Sequence, residues 1–216
     1  MRKIFYLILL ISILVSAQKT KTPQISGGLP YPKEYKEIEQ FQKELNEEYS
    51  NVKTSPLRGE NVKKFTEHPF FDMDLKWRVT AKLVKTKNAK PFEIPTSSGK
   101  TKEYREFGKV YFKLDGKEQV LTVYQSLSLM KNPEYKDYLF LPFRDLTNGV
   151  ETYGGGRYID LRIPKTSEII IDFNKAYQPY CAYNATDYNC PIVPKENWLN
   201  IRIESGVKYE NIWFEH

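Results

Sequence analysis

The spacing of apolar residues changes once along this chain, and the change divides it into a helix and a sheet. Between residues 33 and 50, Ile38, Phe41, Leu45 and Tyr49 recur at three- and four-residue intervals among charged positions. That period is helical, and Pro32 suits the first turn because its fixed φ and missing N–H do no harm there. Lys33/Glu37 and Lys43/Glu47 occupy the wet side, in the less favourable order with the base first. Their balanced charges predict a helix docked on the domain rather than one lying on a membrane surface.

After Ser55-Pro56 the period becomes two. Trp77, Val79, Ala81 and Leu83 alternate with Arg78, Thr80 and Lys82; Val110, Phe112 and Leu114 alternate with Lys109, Tyr111 and Lys113. Ile159, Leu161 and Ile163 do the same with Asp160 and Arg162, as do Leu199, Ile201 and Ile203 with Asn200 and Arg202. Strict alternation means strands with one buried and one wet face, the habit of antiparallel sheets. Asp115-Gly116 is a two-residue hairpin signal, and that turn would set Lys113 opposite Glu118 and Val110 opposite Leu121. Further strands are expected at 120–125, 138–143 and 168–173. The fold expected is mainly β: an antiparallel barrel or sandwich of about seven to nine strands with one N-terminal amphipathic helix.

The two ends of the chain read differently. Arg2 and Lys3, the apolar run from Ile4 to Val15, and Val15-Ser16-Ala17 form a signal-peptide pattern over residues 1–17. The run is too short for a permanent span, which needs roughly 20 apolar residues. Residues 18–32 are polar and marked by Gly and Pro, a flexible leader, and 33–216 make one domain. The expected location is therefore secreted or periplasmic, with no transmembrane segment once the signal is removed.

Export changes the reading of Cys181 and Cys190, the two cysteines of the chain. In an oxidising compartment they are expected to form a disulfide, with two reduced thiols as the alternative. Histidine is scarce: His68 precedes Pro69 and reads as a turn residue, and His216 is the last residue. Metal sites of His and Cys need three or four ligands at short spacings, so no metal and no cofactor is expected. The net charge of +6 becomes +4 without Arg2 and Lys3. Lys82, Lys85, Lys87 and Lys90 are the densest basic run; with no nucleic-acid motif beside them, they read as a solvated strand face.

Chemistry concentrates between Phe143 and Asn197. In Phe143-Arg144-Asp145-Leu146-Thr147-Asn148-Gly149, Asp145 suits a turn in which its carboxylate accepts backbone N–H groups. In Glu151-Thr152-Tyr153-Gly154-Gly155-Gly156-Arg157-Tyr158, the glycines permit close backbone approach and Arg157 could grip an anion; a tight corner is an equal physical account. Asp172-Phe173-Asn174 closes a strand ahead of a loop stiffened by Pro179, Pro191 and Pro194. Asn184-Ala185-Thr186 matches a glycosylation triplet, a pattern that arises often by chance.

Together these blocks (F-R-D-x-T-x-G, E-T-Y-G-x-G-R, D-F-N-x-A-Y and C-P-x-x-P-x-E-N) resemble a bacterial family catalogued as domain of unknown function 1684. The resemblance runs over roughly residues 35–208 and implies a β-rich protein, without a reaction. The chain departs from the family pattern at Gln178-Pro179-Tyr180, where Asn-Pro-Pro is usual, and at Ser205-Gly206-Val207-Lys208, where Ala-Gly-Glu-Lys is usual.

Three function classes follow. The first is a binding module for a small or polymeric ligand, an anion or a sugar, held by Arg144, Asp145, Glu151, Tyr153, Arg157, Asp172, Asn174 and Glu196. The second is a hydrolase or lyase using Asp145, Glu151, Asp172 or Glu196 as acid and base. The third is a structural envelope protein whose polar blocks only fix loops.

Overall fold

The computed structural model describes residues 31–210. The expected signal peptide and most of the expected leader lie outside the described residues. Helix α1 runs Lys33–Ser50, buries Ile38, Leu45 and Tyr49, and is followed by the short α2, Glu60–Lys64. The rest is sheet: β1 Arg78–Lys85, β2 Pro91–Pro95, β3 Thr101–Leu114, β4 Lys117–Ser126, β5 Tyr138–Phe143, β6 Arg157–Arg162 and β7 Glu168–Asp172.

The strands pair antiparallel in the order β6-β5-β4-β3-β1-β7, with β2 on the first half of β3. This sheet curls into a nearly closed barrel. Its seam lies between β6 and β7, where Tyr158 of β6 pairs instead with Tyr177, just beyond β7. The Asp115-Gly116 turn takes positive φ at both residues (47° and 74°), as a tight two-residue hairpin requires. It sets Lys113 opposite Glu118 and Val110 opposite Leu121, as the sequence predicts. The long β3 pairs with three neighbours, β1, β2 and β4, and bends at an irregularity between Glu106 and Gly108.

Parity decides burial. Inward-facing Ala81, Leu83, Val110, Phe112, Leu121, Val123, Leu139, Leu141, Phe143, Ile159 and Ile171 fill the barrel. A second apolar layer lies outside, on the far faces of β2 to β6: Ile94, Tyr104, Tyr124, Phe140 and Tyr158 are covered by Val193. A third joins α1 to the loops through Leu45, Tyr49, Leu57, Phe65, Phe70, Tyr183 and Val207.

Two local expectations are corrected and one strand is added. Residues 199–203 alternate in burial but form no regular strand; they lie parallel to 144–146, bonded by Leu199 N–H to Arg144 O and Leu146 N–H to Ile201 O. Strand β2 adds to the expected strands; it pairs with β3 alone, and an edge strand tolerates its terminal prolines. His68 is not a surface turn residue: it is buried among Tyr49, Phe65, Phe70 and Tyr183. Its Nδ1 lies 3.4 Å from the Tyr183 hydroxyl, and burial pulls its pKa down to about 3.

Candidate functional site

The eight residues singled out in the sequence fall into three groups. The first is a buried knot around Arg157, whose side chain has no exposed surface. Its Nη2 donates to Asp145 Oδ2 at 2.7 Å and to the Ile203 carbonyl at 2.8 Å, and its Nη1 donates to the Ser205 carbonyl. The ring of Phe143 lies 5.1 Å from the guanidinium carbon. Burial pulls the arginine's pKa down and Asp145 draws it back. Asp145 Oδ1 accepts the Thr147 N–H at 2.8 Å, the turn expected from the sequence.

Glu151 and Tyr153 rim this knot. Glu151 pairs with Arg202, and Tyr153 lies half-buried with its ring centre 5.4 Å from that of Tyr209. Of the three glycines, Gly156 has the firm steric reason: at φ 99°, a Cβ there would meet Phe143 O and Val193 Cγ2 at 2.7 Å. The glycine lets the chain squeeze past β5 so that Arg157 can turn into the barrel. Gln178 and Ser205 both meet the knot here. The Tyr158–Tyr177 bridge sets Gln178 opposite Arg157, and Ser205 supplies the carbonyl that accepts Nη1.

Asp172 and Asn174 form a second group, which fastens neighbouring segments. Asp172 accepts from Arg78 Nη1 at 2.8 Å and from the Asn174 N–H at 3.1 Å, and Arg78 also reaches Glu37 of α1 at 3.1 Å. Asn174 exchanges two hydrogen bonds with the backbone of Asp74. The third group is at the surface: Arg144 stacks 4.5 Å over the Trp198 ring, and Glu196 accepts from the Tyr124 hydroxyl at 2.8 Å. Sequence blocks therefore meet around Arg157, whereas Asp172/Asn174 and Arg144/Glu196 serve other contacts.

Cys181 and Cys190 are joined as a disulfide with Cα atoms 6.1 Å apart. The loop it braces is stitched to the chain after β2 by Ser97 N–H to Cys190 O and by Ile192 N–H to Pro95 O. Asn184 of the glycosylation triplet is buried and donates to Pro56 O and Asp187, so its amide is already committed. Among the described residues, no cluster of three or more His, Cys, Asp or Glu could hold a metal ion. No helix among them is long and apolar enough to cross a membrane.

One solvent-facing constellation escaped the sequence reading. Asp160, on the outer face of β6, accepts the hydroxyls of Tyr138 and Tyr177 at 2.7 Å each, both through Oδ1. The residue is exposed, yet its carboxylate is crowded by rings: burial raises its pKa while the two phenols pull it down. Tyr138 and Tyr177 are themselves pushed well up by burial and by the Asp160 charge. Arg162 stands alongside, its guanidinium carbon 5.9 Å from the rings of Tyr135 and Tyr138. The missed signal was cross-strand: pairing 138–143 with 157–162 sets Tyr138 opposite Arg162 and Asp160 opposite Phe140.

Comparison with known proteins agrees with this architecture. A family profile described as protein of unknown function (DUF1684) matches residues 63–208. The chain belongs to the DUF1684 family. An uncharacterised protein from Haloarcula marismortui, whose structure was determined in solution by NMR, is 30% identical to it. The match covers 81% of this chain and 94% of that one, with a TM-score of 0.63. No curated protein matches. The family match takes in every strand of the barrel and starts after α1, so it is the barrel and its covering loops that DUF1684 describes.

Proposed function

We infer that this DUF1684 protein is an exported binding module, and that it holds a hydroxyl-rich ligand at Asp160. The carrying observation is that one oxygen of an exposed carboxylate is fixed by two tyrosines. Its Oδ2 has no hydrogen bond among the described residues, so it is free to accept from a ligand hydroxyl. Tyrosine rings beside a fixed acceptor suit a sugar or another polyol, which offers both C–H faces and O–H groups. Support for binding over hydrolase or lyase chemistry comes from the acids named for that role, since Asp145, Glu151, Asp172 and Glu196 are each bonded to protein partners. Among the polar residues singled out in the sequence, Arg144 and Glu196 lie at the surface and could extend such a site.

Thermal-shift titration of the protein against a panel of mono- and oligosaccharides tests this, because a ligand that binds the folded state raises its melting temperature. A saccharide should stabilise the wild type and leave Asp160→Asn and Tyr177→Phe unmoved. Equal shifts in all three proteins, or none in the wild type across the panel, would point to the structural envelope role instead. Export is checked separately: mass spectrometry of the exported fraction should find a mature chain starting at Gln18, and an intact Met1 there would refute it.

A further inference from the structure

We propose that a second face of the barrel, centred on Tyr111, binds a carboxylate-bearing polysaccharide. The ladder between β1 and β3 stops at Lys82 opposite Tyr111. Beyond that point each strand continues with its other neighbour, β1 with β7 as far as Arg78 and β3 with β4 as far as Leu114. The two strands part there, and an open cleft of about 680 Å³ lies between them, walled by Val79, Thr80 and Lys82 on one side and Tyr111 and Lys113 on the other.

Register fixes what surrounds the cleft. Tyr111 is exposed, with Lys109 and Lys113 two residues to either side on the same face and Lys82 directly across. Residues two apart on a strand stand about 7 Å from each other, so the register sets three lysines about one aromatic residue. Lys82 and Lys109 form no ion pair among the described residues, and Lys113 reaches Glu118 at 3.9 Å. Val120, opposite Tyr111, adds an exposed apolar patch to the ring's flank.

The mixture selects the ligand. A bare polyanion would be attracted by the lysines but repelled by Glu118 and by Glu168, which lies opposite Lys82. A uronic-acid chain carries carboxylates for the lysines and hydroxyls for Glu168, Thr80 and Ser167, all at the cleft. Its sugar rings offer C–H faces to Tyr111. The face is distinct from Asp160, which lies on the outer side of β6 and whose tyrosine partners are not among the residues that line the cleft.

Affinity electrophoresis of the protein through gels containing polygalacturonate tests the inference, with neutral dextran gels as the reference. The wild type should be retarded by polygalacturonate alone. Lys82→Ala/Lys109→Ala/Lys113→Ala should weaken retention at least about tenfold and flatten its dependence on salt, because exposed charges are screened. Tyr111→Ala should weaken retention while keeping the salt dependence. All four positions are exposed, so circular dichroism melts of the variants should match the wild type, and Lys113→Arg should retain binding should any alanine variant unfold. Retention unchanged in the triple variant, equal retardation by dextran, or binding to phosphatidylglycerol vesicles without binding to polygalacturonate would each overturn the proposal.

Discussion

Strand β6 carries an arginine and an aspartate three residues apart, and the barrel treats them in opposite ways. Arg157 shares the inward parity of Ile159 and is closed off from water by Asp145 and the carbonyls of Ile203 and Ser205. Asp160 shares the outward parity of Tyr158 and meets solvent with one oxygen held by two phenols. Both sit in conspicuously polar sequence. A dense run of charges and glycines marks a place where backbone shape is exacting; whether it also marks a surface for recognition depends on which side of the sheet each residue takes.

Breaking the inward half should have the largest effect. Arg157→Ala would strand the Asp145 carboxylate without its partner in a site sealed from water, and loss of one member of a buried pair costs about 3–5 kcal/mol. Urea unfolding should register that loss; a cost under about 1 kcal/mol would erase the contrast between the two residues. An intermediate effect belongs to His68, buried like Arg157 and protonated in mild acid only once the chain unfolds. Its folded pKa of about 3 lies below the 6.5 of an unfolded chain. The unfolded state therefore takes up the proton first as pH falls. Stability from this group is whole above about pH 6.5 and is lost toward pH 3, by up to about 1.4 kcal/mol per pH unit. Melting the wild type and His68→Phe between pH 7 and pH 4.5 should reveal a shallower fall in the variant, and parallel curves would show that His68 is protonated in place. The smallest effect is expected at Asp160→Asn, which should shift stability by no more than about 0.5 kcal/mol. A larger loss would move Asp160 to the architectural side of the comparison.

Much of the scaffold could be read from the residues because it is written in local periods. The helical spacing of Ile38, Leu45 and Tyr49 and the register around Asp115-Gly116 need no knowledge of distant partners. What escaped depends on distant partners. Strand β2 exists because β3 is long enough to pair with it, and 199–203 stay irregular because 144–146 offers too short a parallel edge. Arg157 was half legible: extending the alternation of Ile159 and Leu161 back by one step puts it on the buried side. The Tyr138–Asp160–Tyr177 contact joins two strands and a turn beyond a third, and no single window of sequence contains it.

The groups that receive the Arg157 guanidinium at Ile203 and Ser205 lie 46 and 48 residues further along the chain. A nascent polypeptide that has released β6 still lacks them, and so holds an uncovered cation where the interior must later be dry. The barrel cannot seal until the segment carrying Ile203 and Ser205 has emerged, so its closure waits on residues made well after its last strands.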